Sequence, residues 1–170
     1  MPQLTLRQPA SPADHAALRT LCRAYRDSLV RRATPCPDIV ETYYAEEAYE
    51  ALLTQLPEKH ARPDGALFLA LLDEVPIGCG MTHRIDATTC EIKRVYTAPA
   101  ARGHGAATAL VTAAMEQARA DGYGRMVLDT MAWLSEAIAL YTRLGFTECA
   151  PFYTPEPRFA RHLRFFSRTL

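Results

Sequence analysis

Apolar residues recur at two different periods along the chain, and the change of period divides it. Before Gly65 the spacing is helical: Leu18, Leu21, Cys22, Tyr25 and Leu29 fall on one face of a helix. Ser11-Pro12-Ala13-Asp14 opens that stretch with a capping serine, a proline at the first helical position and an acid three residues after the cap. A helix is therefore predicted from about Pro12 to Leu29, broken by Pro35 and Pro37, and a second over roughly Asp38 to Leu56, ending before Pro57. Leu4–Arg7 reads as a short strand ahead of both.

After Gly65 the apolar runs are short and extended. Ala66–Leu72 is continuous, Ile77–Arg84 follows, and Glu74-Val75-Pro76 turns between them, which predicts an antiparallel pair. Glu91–Thr97 is a further strand, then a loop, then a helix from about Gly103 to Ala120 that Gly122 and Gly124 end. Arg125–Asp129 is apolar enough for a central strand, and Ser135–Leu144 is a short helix with Gly145 as its C-terminal cap. Thr147–Phe152 and Arg161–Thr169 close the chain as strands. All eight glycines lie between Gly65 and Gly145, so a helical front precedes a glycine-punctuated α/β (α+β) body. No repeat or linker interrupts it, and residues 1–170 are expected to form a single domain.

Composition narrows the function classes. A chain of 170 residues is the usual size of one domain, and a globule of that size buries about 70% of its unfolded surface. Nineteen basic and nineteen acidic residues cancel, which removes any general attraction to nucleic acid or an anionic membrane. The five cysteines form no C-x-x-C pair and no Cys/His cluster at metal-ligand spacing, so reduced thiols and no metal are expected. Asparagine is absent, which excludes N-glycosylation. The N-terminal Met-Pro-Gln-Leu-Thr-Leu-Arg has no signal-peptide pattern, and no apolar run is long enough for a membrane span. A cytoplasmic protein is expected.

The chemistry concentrates in Arg102-Gly103-His104-Gly105-Ala106-Ala107, between a strand and a helix. Small residues let the backbone approach a ligand, and a helix start offers unpaired N–H groups, the requirements for holding a pyrophosphate. A dinucleotide site would fit only in part. Thr108 stands where a third glycine is wanted, although Asp129 could serve as the acid at the end of the next strand. The other reading of the segment is an ordinary glycine-rich helix entry.

Arg102-x-x-Gly105-x-Ala107 resembles the acyl-CoA pyrophosphate signature of the GNAT superfamily of N-acetyltransferases. Gly78-Cys79-Gly80 resembles that family's third strand, Glu91 to Gly105 its fourth strand and phosphate loop, and Ala137-x-x-Leu140-Tyr141 with Leu144-Gly145-Phe146 its closing helix and strand. The resemblance runs from about Gly65 to Phe152. It implies a mixed, mostly antiparallel central sheet, splayed between the fourth and fifth strands, with about four helices. It implies acetyl-CoA as co-substrate, with Val95, Tyr96 and Thr97 along pantetheine and Arg102, Gly103, His104, Gly105, Ala106, Ala107 and Thr108 around the pyrophosphate. Thr97 and Ala106 differ from the family's usual residues without blocking a backbone site, and Leu134 replaces an asparagine that touches the cofactor in many members.

The implied reaction is direct acyl transfer from the thioester to a primary amine in a ternary complex. An amine of pKa about 10.4 needs about 4 kcal/mol to lose its proton at neutral pH, so a base is required. Glu91, placed like the general-base glutamate of the family's histone-modifying branch, is the candidate, directly or through a water, with His83 as the alternative. Pairing with Lys93 or Arg94 would depress the Glu91 pKa and weaken it. Tyr141 is expected to protonate the leaving thiolate, its other reading being an aromatic packing residue, and a backbone N–H of Val95–Thr97 to meet the developing oxyanion.

The acceptor is expected to be a small-molecule amine, and protein or peptide amines are a subclass. Asp38, Glu41, Glu46, Glu47 and Glu50, interleaved with Tyr43, Tyr44 and Tyr49, would suit a cation or simply form a solvated helix face. Arg158, Arg161, Arg164 and Arg168 could instead meet a carboxylate. A homodimer is compatible with the fold, although nothing in the sequence specifies an interface. The competing classes are a non-catalytic acyl-CoA-binding domain on the same fold and a dinucleotide oxidoreductase.

Overall fold

Alternating apolar residues and helix caps resolve into seven strands and five α-helices in the computed structural model, which describes all 170 residues. The order is β1 (Leu4–Arg7), α1 (Pro12–Arg32), α2 (Pro37–Tyr43), α3 (Glu46–Lys59), β2 (Ala66–Leu72), β3 (Val75–Arg84) and β4 (Thr89–Thr97). A 3-10 turn at Pro99–Ala101 leads to α4 (Ala106–Ala120), β5 (Arg125–Met131), α5 (Ser135–Arg143), β6 (Thr147–Glu148) and β7 (Leu163–Thr169). The strands form one sheet in the order β1-β2-β3-β4-β5-β7-β6, antiparallel except where β4 lies parallel to β5.

Each face of the sheet is covered. On one, Leu110, Val111 and Ala114 of α4 pack against Phe68, Ile92, Met126 and Leu128. On the other, Leu18 and Cys22 of α1 and Leu53 and Leu56 of α3 pack against Leu69, Cys79 and Met81. A third cluster joins Leu29, Ile39 and Val40 to Met131 and Phe165, so α1 and α2 span the gap between the two halves of the sheet. The α1 start is the capping box read from the sequence: the Ser11 side chain accepts from the Asp14 N–H, and Asp14 accepts from the Ser11 N–H.

The splay is set by pairing. β4 and β5 share only Thr89↔Arg125, Cys90↔Met126 and Glu91↔Val127. Beyond that point β4 pairs with β3 alone and β5 with β7 alone. A β-bulge places Arg94 and Val95 between the pairs Met81↔Lys93 and Cys79↔Tyr96, with Arg94 at φ 51°. Bulges bend and twist a strand, and this one falls where β4 leaves β5. Gly78 allows β3 to stay close there, since a Cβ would meet the Tyr96 carbonyl oxygen at 2.9 Å.

The single helix expected over Asp38–Leu56 is two, giving five helices rather than about four. Tyr44 breaks it: its carbonyl accepts from Arg26 Nε at 2.7 Å instead of continuing a helical ladder, and its ring packs on Tyr25 and Tyr49. The chain restarts through an extended Ala45, with Glu46 and Glu47 at the electropositive first turn of α3. Pro57 lies inside the last turn of α3 rather than after it. α4 starts at Ala106, not Gly103, because Gly103 and Gly105 take φ of +80° and +72°. β6 is shorter than Thr147–Phe152, because Phe152 turns back onto Phe165 with ring centroids 5.5 Å apart. No helix is long and apolar enough to cross a membrane.

Candidate active site

The divergence of β4 and β5 opens a cleft of about 260 Å³. Its walls are Lys93, Arg94 and Val95 on one side and Asp129, Thr130 and Met131 on the other. Tyr25 of α1, Tyr44 after α2 and Tyr141 of α5 close it. Val95, Tyr96 and Thr97 therefore lie on a strand that is hydrogen-bonded on its β3 side only. The Tyr96 side chain faces away from α4, meeting Tyr25 edge-on at 6.2 Å, so its contribution to the cleft is backbone.

The glycine-rich loop follows directly. Gly105 caps α4 in the left-handed conformation with no side-chain hydrogen bond to the helix start. The N–H groups of Gly103, Gly105, Ala106, Ala107 and Thr108 have no backbone partner in the chain, while His104 N–H bonds the Ala101 carbonyl. A Cβ added at Gly103 or Gly105 would meet nothing of the protein within 4 Å. Their glycine character serves the positive φ and the open approach, not internal crowding. Arg102 is exposed at the loop's rim, and Ala106 is buried beneath it. Donors at a helix start with clear space above fit a pyrophosphate.

Glu91 sits on β4 at the last paired position, buried, on the face that carries α3. Both its oxygens are engaged: Oε2 accepts from His83 Nε2 at 2.6 Å and Oε1 from Lys93 Nζ at 3.2 Å. Burial works to raise its pKa, but the His83 hydrogen bond and the Lys93 charge outweigh it and leave the carboxyl below its ordinary range. Held there, Glu91 is a fixed anion that positions Lys93 at the cleft wall. His83, the alternative base, spends its Nε2–H on that same carboxylate.

Behind this pair, His60 donates from Nδ1 to the Thr82 carbonyl at 2.9 Å and stacks edge-on against His83. Burial pushes its pKa down to about 4, from 6.5 when free. The folded protein keeps His60 neutral where the unfolded chain takes up a proton. Its contribution is thus full above pH 6.5 and is lost as pH falls toward 4, about 3 kcal/mol in all. Urea unfolding at pH 7.5 and at pH 4.5 should show a larger acid loss for the wild type than for His60→Gln; equal losses would remove this group from the acid response.

Tyr141 is buried on α5, its ring edge-on to Phe146 at 5.7 Å, and it lines the cleft. Its hydroxyl makes no hydrogen bond within the chain. Burial, reinforced by the nearby Asp129 charge, raises its pKa, so the phenol keeps its proton at any working pH.

Periodicity concealed two residues of the site. Asp129 was legible only as a strand-end acid for a dinucleotide, yet it lies mid-strand with its carboxylate in the cleft. Tyr153, in the loop after β6, donates its hydroxyl to Asp129 Oδ2 at 2.7 Å. The only sequence signal for the pair was an acid inside an otherwise apolar strand. Of the acidic and aromatic stretch, Tyr43 and Tyr44 reach the cleft, whereas Tyr49 is core and bonds the Cys22 carbonyl. Glu50 pairs with Arg23 on the surface, and Arg158 and Arg164 pair with Glu156 and Glu148.

The profile of the Acetyltransferase (GNAT) family matches residues 26–146. The uncharacterized N-acetyltransferase YjgM of Escherichia coli is 38% identical over 97 residues, 55% of this chain and 58% of that protein. The IAA acetyltransferase of Azospirillum brasilense is 32% identical over 100 residues, 57% of this chain and 65% of that protein. The chain thus aligns with less than two thirds of the length of these curated relatives. In structure, the PaiA N-acetyltransferase of Thermoplasma acidophilum, solved in complex with coenzyme A, superposes with a TM-score of 0.74 at 18% identity, covering 99% of each chain. YncA of Salmonella typhimurium, solved with acetyl-CoA, gives a TM-score of 0.65 at 25% identity, covering 98% of this chain and 93% of that one.

Proposed function

The chain belongs to the acetyltransferase (GNAT) family, and from that membership we propose that it is an acetyl-CoA-dependent N-acetyltransferase acting on a small primary amine. The observation that carries this reading is the junction of two features: a β4 edge left unpaired beyond Glu91, leading straight into unpartnered N–H groups from Gly103 to Thr108. A pantetheine amide chain can pair with the first and a pyrophosphate with the second. Val95, Tyr96 and Thr97 would bond the arm through their backbone, and Arg102 to Thr108 would hold the phosphates, with Arg102 adding a side-chain cation.

Acetyl-CoA supplies an activated acetyl thioester, and the chain's residues do the rest. Tyr141 gives its phenolic proton to the sulfur as the C–S bond breaks, and the proton leaving nitrogen as the N–C bond forms replaces it. Glu91 keeps Lys93 and His83 in place at the closed end of the cleft, and its own oxygens stay committed to them. A cytoplasmic setting, where acetyl-CoA and reduced thiols coexist, suits the five free cysteines.

Thermal unfolding with acetyl-CoA, and separately with NADH, tests the reading. A ligand at a hundred times its Kd adds about 2.7 kcal/mol, roughly 5–10 °C for a domain of this size. The expected result is that shift with acetyl-CoA alone. No shift, or a larger one with NADH, would overturn the cofactor assignment; a shift without thiol release over a broad amine panel would leave a binding domain.

A further inference from the structure

Asp129 is a half-buried carboxylate that no step above uses. It stands on β5 two residues past the last β4–β5 pair, so its side chain enters the cleft where the strands part. It has no salt-bridge partner; Oδ2 accepts from Tyr153, and Oδ1 has no hydrogen bond in the chain. Charges drawn partly out of water are ordinarily paired, because their desolvation is otherwise uncompensated. Tyr25, Tyr43, Tyr44 and Tyr153 line the same cleft, and aromatic rings attract a cation placed over them. A carboxylate without a salt bridge, set among these tyrosines in a cleft of about 260 Å³ that Lys93 and Arg94 also line, beside a thioester site, has the form of an ammonium receptor.

Resting on the acetyl-transfer reading, we propose that Asp129 and Tyr153 bind the acceptor as a primary alkyl- or arylalkylammonium, and that Asp129 takes the proton which frees the amine for attack. In this step one N–H bond of R–NH₃⁺ breaks and an O–H bond forms at Oδ1, leaving R–NH₂ and a neutral acid. The acid returns its proton to solvent after transfer, so the overall reaction releases one proton. Tyr153 fixes the carboxylate through Oδ2 and leaves Oδ1 for nitrogen.

The surroundings favour a base here over Glu91. Burial is the main influence on Asp129 and raises its pKa, with Glu91 adding to the rise and Tyr153 and Lys93 opposing it. The groups facing it are Lys93 and Glu91 of β4, Tyr44 after α2, Tyr141 of α5 and Tyr153, while β7 presents Phe165 in register with it.

The test uses the full chain with butylamine and phenethylamine, and their uncharged alcohol counterparts, as probes. Calorimetry with coenzyme A present should show an amine binding and the alcohols not. Asp129→Asn should weaken amine binding at least tenfold and cut turnover at least a hundredfold, with the acetyl-CoA thermal shift intact. Tyr153→Phe removes one hydrogen bond from an exposed loop residue and should move the acid limb of the kcat/KM profile to higher pH. Amines and alcohols bound alike, neither amine bound, or unchanged amine binding in Asp129→Asn would each overturn the proposal. If acetyl-CoA itself gives no shift in the wild type, the failure lies with the acetyltransferase reading instead.

Discussion

Tyr141→Phe should lower kcat by about a hundredfold, the low end of what a positioned proton donor contributes, while the Kd for acetyl-CoA stays within about twofold. The ring's packing against Phe146 survives the change, and the hydroxyl has no partner in the chain to strand. Folding stability should therefore move by less than about 0.5 kcal/mol, as for substitutions that break no buried contact. Stopped-flow thiol release under single turnover separates the chemical step from product release. Unchanged turnover there would reduce Tyr141 to a packing residue.

Gly105→Val should weaken acetyl-CoA binding by about thirtyfold or more, and Gly122→Val supplies its control. Both glycines hold positive φ, +72° and +90°, with nothing of the protein within 4 Å of an added Cβ. They sit at opposite ends of α4, so the backbone strain of a branched residue is matched at about 1–2 kcal/mol each. Only the valine at 105 would stand over the converging N–H groups. Equal acetyl-CoA affinities in the two variants would show that the loop does not grip phosphate.

Local signals were enough for most elements. Ser11 to Asp14 placed the α1 start because a capping box is settled by four consecutive residues, and Gly145 marked the end of α5 for the same kind of reason. The glycine loop at 102–105 was legible because what it offers, unpartnered backbone N–H groups, follows from the small residues that expose them. The α2–α3 break was not, since it depends on Arg26 reaching the Tyr44 carbonyl from another helix. The Asp129–Tyr153 pair was hidden for a similar reason: a loop whose sequence resembles any proline-rich turn delivers its tyrosine 24 positions along the chain. The Glu91 environment was half legible. Lys93 was a foreseeable neighbour two residues on, whereas the hydrogen bond from His83 comes through cross-strand register.

A strand with one unbonded side usually sits at the rim of a sheet, where it invites another molecule to add itself. Here the open side of β4 lies in the middle of the sheet, with β5, β7 and β6 beyond it. Natural sheets guard their rims with charge, proline or short strands; this one guards its exposed ladder by geometry. Joined at Thr89–Glu91 and covered by α1 and α2, the open ladder lies inside the fold rather than at its rim. The protein can thus keep a polar ladder open without making it an adhesive edge for aggregation.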